Sequence, residues 1–81
     1  MMLTDYIEAA MRHAVCEILP DDGTHYCEIP ELRGVWSNAP TYEEAIAELR
    51  SGLEGWIALG IALHDPIPAI DGLEIIVASV R

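Results

Sequence analysis

Apolar residues recur at three- and four-residue spacing through Leu3, Tyr6, Ile7, Ala10 and Met11, which predicts a short amphipathic helix over residues 3–11. Thr4 is placed to cap it, and Asp5 suits the positive end of the helix dipole. Residues 14–19 have a strand's β-branched and Cys content and are stopped by Pro20. Asp21-Asp22-Gly23-Thr24 is a turn signal, with Gly23 able to supply a positive φ, and residues 24–29 read as the returning strand. Pro30 and Gly34 punctuate a short connection to a third strand over residues 35–38.

A helical period then takes over. Thr41-Tyr42-Glu43-Glu44 fits a capping box, and Tyr42, Ile46, Leu49, Leu53, Trp56, Ile57 and Gly60 follow along one stripe. Glu43, Glu48 and Arg50 lie mainly off that stripe, with Glu44 and Glu54 at its margins. Gly52, Gly55 and Gly60 each cost about 1 kcal/mol against Ala, which favours a bend or an early end in the back half. Asp65-Pro66-Ile67-Pro68 cannot continue a helix. Beyond Asp71-Gly72, residues 73–80 have a strand's composition. The predicted order is α-β-β-β-α-β. It makes one α+β domain over residues 1–81, a two-layer fold with helix packed on a three-stranded antiparallel meander and a final strand.

The first hairpin predicts its own faces. If Asp22-Gly23 is a two-residue turn, Ile18 faces Cys27 and Cys16 faces Ile29, all on one apolar face. The opposite face presents Val15, Glu17, Leu19, Tyr26 and Glu28, with Glu17 directly across from Glu28. Like charges so placed destabilise a sheet by about 0.2–1 kcal/mol, a local conflict with stability alone. Either a cationic partner docks on that face or the face is merely solvated. In the third strand one of Val35 and Trp36 must point away from the helix layer, and an outward Trp36 would mark a contact surface. Trp56, on the helical stripe, belongs to the core.

Charge narrows the function classes. The 81 residues carry fourteen Asp and Glu against four Lys and Arg, giving a net charge of −10. A balance this acidic argues against nucleic-acid binding and against docking to an anionic membrane. Residues 1–12 carry Asp5 and Glu8 where a secretory signal needs a basic start and an apolar run, and the longest nearly uncharged stretch, residues 55–63, is too short to span a bilayer. The cytoplasm is the expected compartment. Two cysteines cannot staple a secreted scaffold, and in this register Cys16 and Cys27 sit diagonally, so both are expected to be reduced core residues.

Candidate chemistry is sparse. His13, His25 and His64 show no ligand spacing and read as isolated histidines, and Asp21-Asp22 reads as turn residues. No nucleophile elbow or phosphate-binding loop occurs, so neither a catalytic residue, a metal nor a cofactor is expected. The alternative from another class is a small metal-dependent hydrolase using Glu17, Glu28, Asp21 or Asp22.

The run Tyr26-Cys27-Glu28-Ile29-Pro30-Glu31-Leu32-Arg33-Gly34-Val35-Trp36-Ser37, followed by Thr41-Tyr42-Glu43-Glu44-Ala45, resembles the HicB family of antitoxins. Leu49, Leu53, Trp56-Ile57 and Pro66-Ile67-Pro68 continue the likeness, as does the Asp22-Gly23 turn. It covers residues 14–68, with residues 1–12 as an N-terminal helical extension. The resemblance implies a partial ribonuclease H-like fold without its catalytic acids. It further implies a partner, a small basic HicA-type toxin ribonuclease whose active surface the antitoxin covers, and a homo-oligomer, dimer or tetramer. Many HicB proteins carry a C-terminal DNA-binding domain where this sequence stops at Arg81, so no direct nucleic-acid contact is expected. Arg33 stands where the family often has a second Pro. The expected function is that of a toxin-neutralising protein, with Glu17, Leu19, Tyr26, Glu28 and Trp36 as partner-binding residues. The alternative within the binding class is an orphan homo-oligomeric module with another client.

Overall fold

The computed structural model describes residues 3–75. Its elements follow the predicted order as far as they go: α1 (Leu3–Arg12), β1 (Val15–Ile18), β2 (His25–Glu28), β3 (Trp36–Ala39) and α2 (Tyr42–Leu63). The strands form an antiparallel meander in the order β1-β2-β3. α2 lies across β2 and β3, and α1 packs beside α2. Alternation along β3 shows which face is covered: Ser37 and Ala39 are buried, Trp36 and Asn38 exposed. The buried Ser37 hydroxyl donates to the Ala45 carbonyl at 2.6 Å, fastening β3 to the first turns of α2. Tyr6, Ala9, Ala10, Cys27, Ile29, Leu49, Leu53 and Ile57 fill the layer between.

The hairpin register differs from the expected one by two residues. Cys16 pairs with Cys27, Glu17 with Tyr26, Ile18 with His25 and Val15 with Glu28. The loop is residues 20–23, closed by Leu19 N–H donating to Thr24 O at 2.8 Å and Gly23 N–H donating to Leu19 O at 2.9 Å. A two-residue turn at Asp22-Gly23 needs positive φ at both positions, whereas only Gly23 has it in this loop (φ 70°). It would also put Pro20, which has no N–H, into the ladder. Asp22 instead accepts from the backbone and hydroxyl of Thr24, at 3.0 and 2.7 Å, which holds its carboxyl below the usual carboxylate range.

That register corrects the cysteine reading. Directly opposed at a Cα separation of 4.1 Å, the spacing of a non-hydrogen-bonded antiparallel pair, Cys16 and Cys27 are joined as a disulfide. Glu17 and Glu28 are in turn diagonal rather than opposite.

Three smaller expectations also change. Thr4 lies within the first turn of α1 and does not cap it. α2 runs unbroken through its glycines; a Cβ at Gly52 or Gly55 would meet nothing, and one at Gly60 would make ordinary contact with Ile67 at 3.5 Å. At its start, Glu44 N–H donates to Thr41 Oγ1 as expected, but the Glu44 carboxylate accepts from the Thr41 hydroxyl rather than from its backbone, so only half the box forms. The helix ends at His64, whose left-handed backbone (φ 58°) sends its N–H back to Gly60 and Ile61.

The chain then returns over α1. The Tyr6 hydroxyl donates to Pro68 O at 2.5 Å, and burial raises the Tyr6 pKa. Asp71-Gly72 is the true two-residue turn, with φ of 52° and 77°, joining buried Ile70 to Leu73 in a single bridge. Of the final strand expected over residues 73–80, only this bridge is seen, since residues 76–81 lie outside the described chain.

Candidate functional site

Both helices lie on one side of the sheet, and among the described residues no element covers the other, open face. Parity and register arrange it in two rows. One is Glu17-Tyr26-Asn38 and the other Val15-Glu28-Trp36, each with one residue from β1, β2 and β3. Val35 is buried and Trp36 is 59% exposed, so the tryptophan turns outward. It stacks on Tyr26 across the diagonal between the rows, with ring centroids 6.0 Å apart and planes at 22°. This large aromatic surface is held by rigid strands instead of being buried.

Four of the five expected contact residues, Glu17, Tyr26, Glu28 and Trp36, therefore share one face. Leu19 lies just past β1, half-buried at the loop, and adjoins the face without being part of its two rows. Asn38 is fixed at the rim by its amide, which donates to Thr24 Oγ1 at 2.7 Å and His25 O at 3.3 Å. Beside Trp36 a cavity of about 310 Å³ opens between Tyr26, Glu28, Pro30, Arg33, Gly34 and Trp36. Gly34 closes its floor at a φ of 93° with Trp56 packed behind it, so Trp56 supports the site from the half-buried side of α2. Arg33, noted in the sequence only as standing in place of a second Pro, was not among the expected contact residues. It sits at the one cationic position on this rim among the described residues.

A second polar assembly lies away from the open face. His13 Nδ1 is 2.7 Å from Glu31 Oε2 and His13 Nε2 is 2.8 Å from Asp71 Oδ1. Both ring nitrogens can donate only in the imidazolium form, and these two hydrogen bonds raise the His13 pKa. The bond from His13 also lowers the Glu31 carboxyl. Arg12 stands 3.9 Å from the other oxygen of Asp71. The isolated-histidine reading is thereby corrected for His13. Its partners lie 18 and 58 residues away in the chain, beyond any spacing rule. His25 packs edge-on to Tyr42 at 6.4 Å. Among the described residues, no three His, Cys, Asp or Glu side chains are grouped to hold a metal, and no helix is long and apolar enough to cross a membrane.

The model of the family described as UPF0150-like matches residues 5–68. This chain belongs to that family. The match starts within α1 and contains all three strands, α2 and every residue of the open face. A UPF0150 relative, the protein ssr1765 of Synechocystis sp. (strain ATCC 27184 / PCC 6803 / Kazusa), is 38% identical over 50 residues, a match that spans 62% of this chain and 63% of that protein. The crystal structure of TTHA0281 from Thermus thermophilus superposes with a TM-score of 0.86 at 31% identity, covering 95% of each chain. The UPF0150-like fold seen here is thus a small α+β unit with a leading helix, a three-stranded antiparallel sheet and one long helix.

Proposed function

We propose that this UPF0150-like chain is an antitoxin of the HicB kind, a non-enzymatic protein that neutralises a small basic HicA-type toxin ribonuclease by docking on it through the open sheet face. One observation carries the proposal: a stacked aromatic pair, half-buried Tyr26 and exposed Trp36, lies on the open face with an acid beside each ring, and none of the strand residues on that face is a cation. Exposed aromatics supply contact energy, while acids without counter-charges steer a basic partner. The net charge of −10 acts in the same direction at long range. A ribonuclease toxin acts where cellular RNA is, so the complex belongs in the cytoplasm, and neither nucleic acid nor cofactor is needed for inhibition by occlusion.

The test is co-expression with a small basic HicA-type toxin, sought first as a short basic reading frame beside this gene, followed by co-purification and an RNA-cleavage assay. Stoichiometric capture with loss of cleavage is expected. A toxin that cleaves at full rate in the presence of excess folded protein would overturn the proposal. It would leave the orphan-module alternative, or a metal-dependent hydrolase, which a stoichiometric micromolar Mg²⁺, Mn²⁺ or Zn²⁺ site in calorimetry would favour.

Self-association is part of the same proposal. Leu3 (47%), Leu59 (59%) and Leu63 (60%) are exposed on the helical side, and an apolar groove of about 240 Å³ runs between Leu3, Ile7, Ile57, Ala58 and Ile61. A dimer or tetramer through the helices leaves the sheet face free for the toxin. Sedimentation at micromolar concentration checks this, and a monomer at ~100 micromolar rules it out, since an apolar interface of standard size holds far more tightly.

A further inference from the structure

We propose that the cavity beside Trp36 is a receptor for an arginine side chain presented by the partner, with the guanidinium lying against the aromatic stack and its fork paired with Glu28. This rests on the protein-binding reading of the open face, and it names the group that face selects.

The cavity's volume of about 310 Å³ suits a long side chain rather than a cofactor. Tyr26 and Trp36, whose rings stack with planes within 22° of each other, both line it and bring electron-rich aromatic surface to it. Glu28 stands directly across from Trp36 on the neighbouring strand, so a carboxylate and a ring face converge on the same space. Among the described residues, the ion pairs use Glu8, Glu31 and Asp71 and leave Glu28 without a cation.

A planar, weakly hydrated cation satisfies both walls at once. It can stack within about 6 Å of a ring centroid and still hydrogen-bond a carboxylate in its own plane. An ammonium, compact and strongly hydrated, satisfies only the charge. A carboxylate or phosphate ligand would have to sit beside Glu28 and the ring faces, all of which repel it. Arg33 is exposed on the rim of the same cavity and is the cation closest to hand. It therefore competes for the site in the free protein.

The experiment titrates the full chain with Nα-acetyl-arginine methylamide, following the Trp36 indole N–H by NMR after assigning it with Trp36→Leu. The lysine and glutamate methylamides serve as comparison arms. Saturable millimolar binding of the arginine probe is expected, with the lysine probe weaker by about threefold or more and the glutamate probe inert. Glu28→Gln, and Trp36→Leu followed through the Gly34 backbone amide, should each weaken the arginine probe by about tenfold while retaining the wild-type melting curve. Arg33→Gln should strengthen it, and Glu17→Gln, in the other row, should leave it unchanged. No saturable shift, equal response to arginine and lysine, or undiminished binding by Glu28→Gln would overturn the arginine receptor. Toxin capture by the same variants separates the two proposals. Lost capture without any probe binding sinks only the receptor, whereas probe binding with capture intact in Glu28→Gln removes the toxin from this face and with it the receptor's assigned ligand.

Discussion

Reducing the Cys16–Cys27 bond should lower stability by an amount that follows from where the two residues sit in the chain. They are 11 residues apart, so the disulfide closes only the β1–β2 hairpin. Loop-closure entropy for a ring of that size corresponds to about 3 kcal/mol at 25 °C, drawn from the unfolded chain. A domain of 81 residues is stable by only about 4–12 kcal/mol in all, so this one bond is a large share. With a urea dependence near the low end for small proteins, the midpoint should fall by roughly 2–3 M. Reduction is a better perturbation than substitution, because Cys27 is fully buried and replacing it would add a packing defect. The assay is urea unfolding of air-oxidised protein with and without reductant, followed by far-ultraviolet circular dichroism, with thiols counted under both conditions. Native folding should persist in the reduced protein, since the sheet and core are otherwise intact. Coincident curves, or two free thiols in the oxidised native protein, would refute the hairpin register as well as the energetics. In a reducing compartment, where such bonds are rare, the protein would fold with this smaller margin.

Exchanging both open-face acids, Glu17→Lys with Glu28→Lys, should leave the fold intact and slow toxin association about tenfold or more at low salt, with the salt dependence itself much reduced. Stopped-flow at two ionic strengths checks this, and unchanged kinetics would move the docking site off the face. The His13 assembly predicts a pH-dependent contribution to stability. The raised His13 pKa contributes below its ordinary value of 6.5 and fades as pH rises through the raised one, while the lowered Glu31 pKa contributes above its ordinary 4.5 and fades as pH falls through the depressed one. The contribution is therefore greatest between those ordinary values, and His13→Gln should flatten the fall in melting temperature on going to alkaline pH. A wild-type fall that persists in that variant would remove the assembly as its cause. Leu53→Ala, at a fully buried position on α2, should cost about 2–5 kcal/mol by urea unfolding, and a loss under ~1 kcal/mol would mean that the helix layer is not packed as described.

Periodicity was enough to locate the elements, because the burying residues of α2 and the alternation along β3 are one-dimensional patterns. Leu49, Leu53 and Ile57 are buried where the stripe put them, and the Thr41 start is where the sequence places it. The register was not legible from such patterns. Asp22-Gly23 is a strong hairpin dipeptide, yet the preceding proline and the Asp22–Thr24 hydrogen bonds favour the longer loop, and only the assembled hairpin weighs these against one another. The His13 assembly and the position of Arg33 on the cavity rim depend on contacts between distant segments and leave no local signal. Faces survived the register error because a slip of two residues keeps every side chain on its own side of the sheet. The candidate contact residues consequently still lie together on one face or at its rim, although the pairing that first singled them out does not occur.

That slip changes what the glutamates can do. Opposed directly, they would form one strained acidic point that a single cation relieves. Placed diagonally, with Glu17 beside Tyr26 and Glu28 beside Trp36, they stand on the same side of the aromatic diagonal, about 7–8 Å apart along the backbone. At that spacing each acid has room for a cation of its own. The basic partner proposed above would then present two positive groups, one to each acid, beside an apolar contact with the rings. The single variants Glu17→Lys and Glu28→Lys should each reduce the logarithm of the low-salt association rate, and their effects should add to that of the double variant, as independent sites do at this spacing. A strongly non-additive cycle, in which either single change already produces the whole effect, would show that both acids serve one cation. It would contradict the reading of two separate cations.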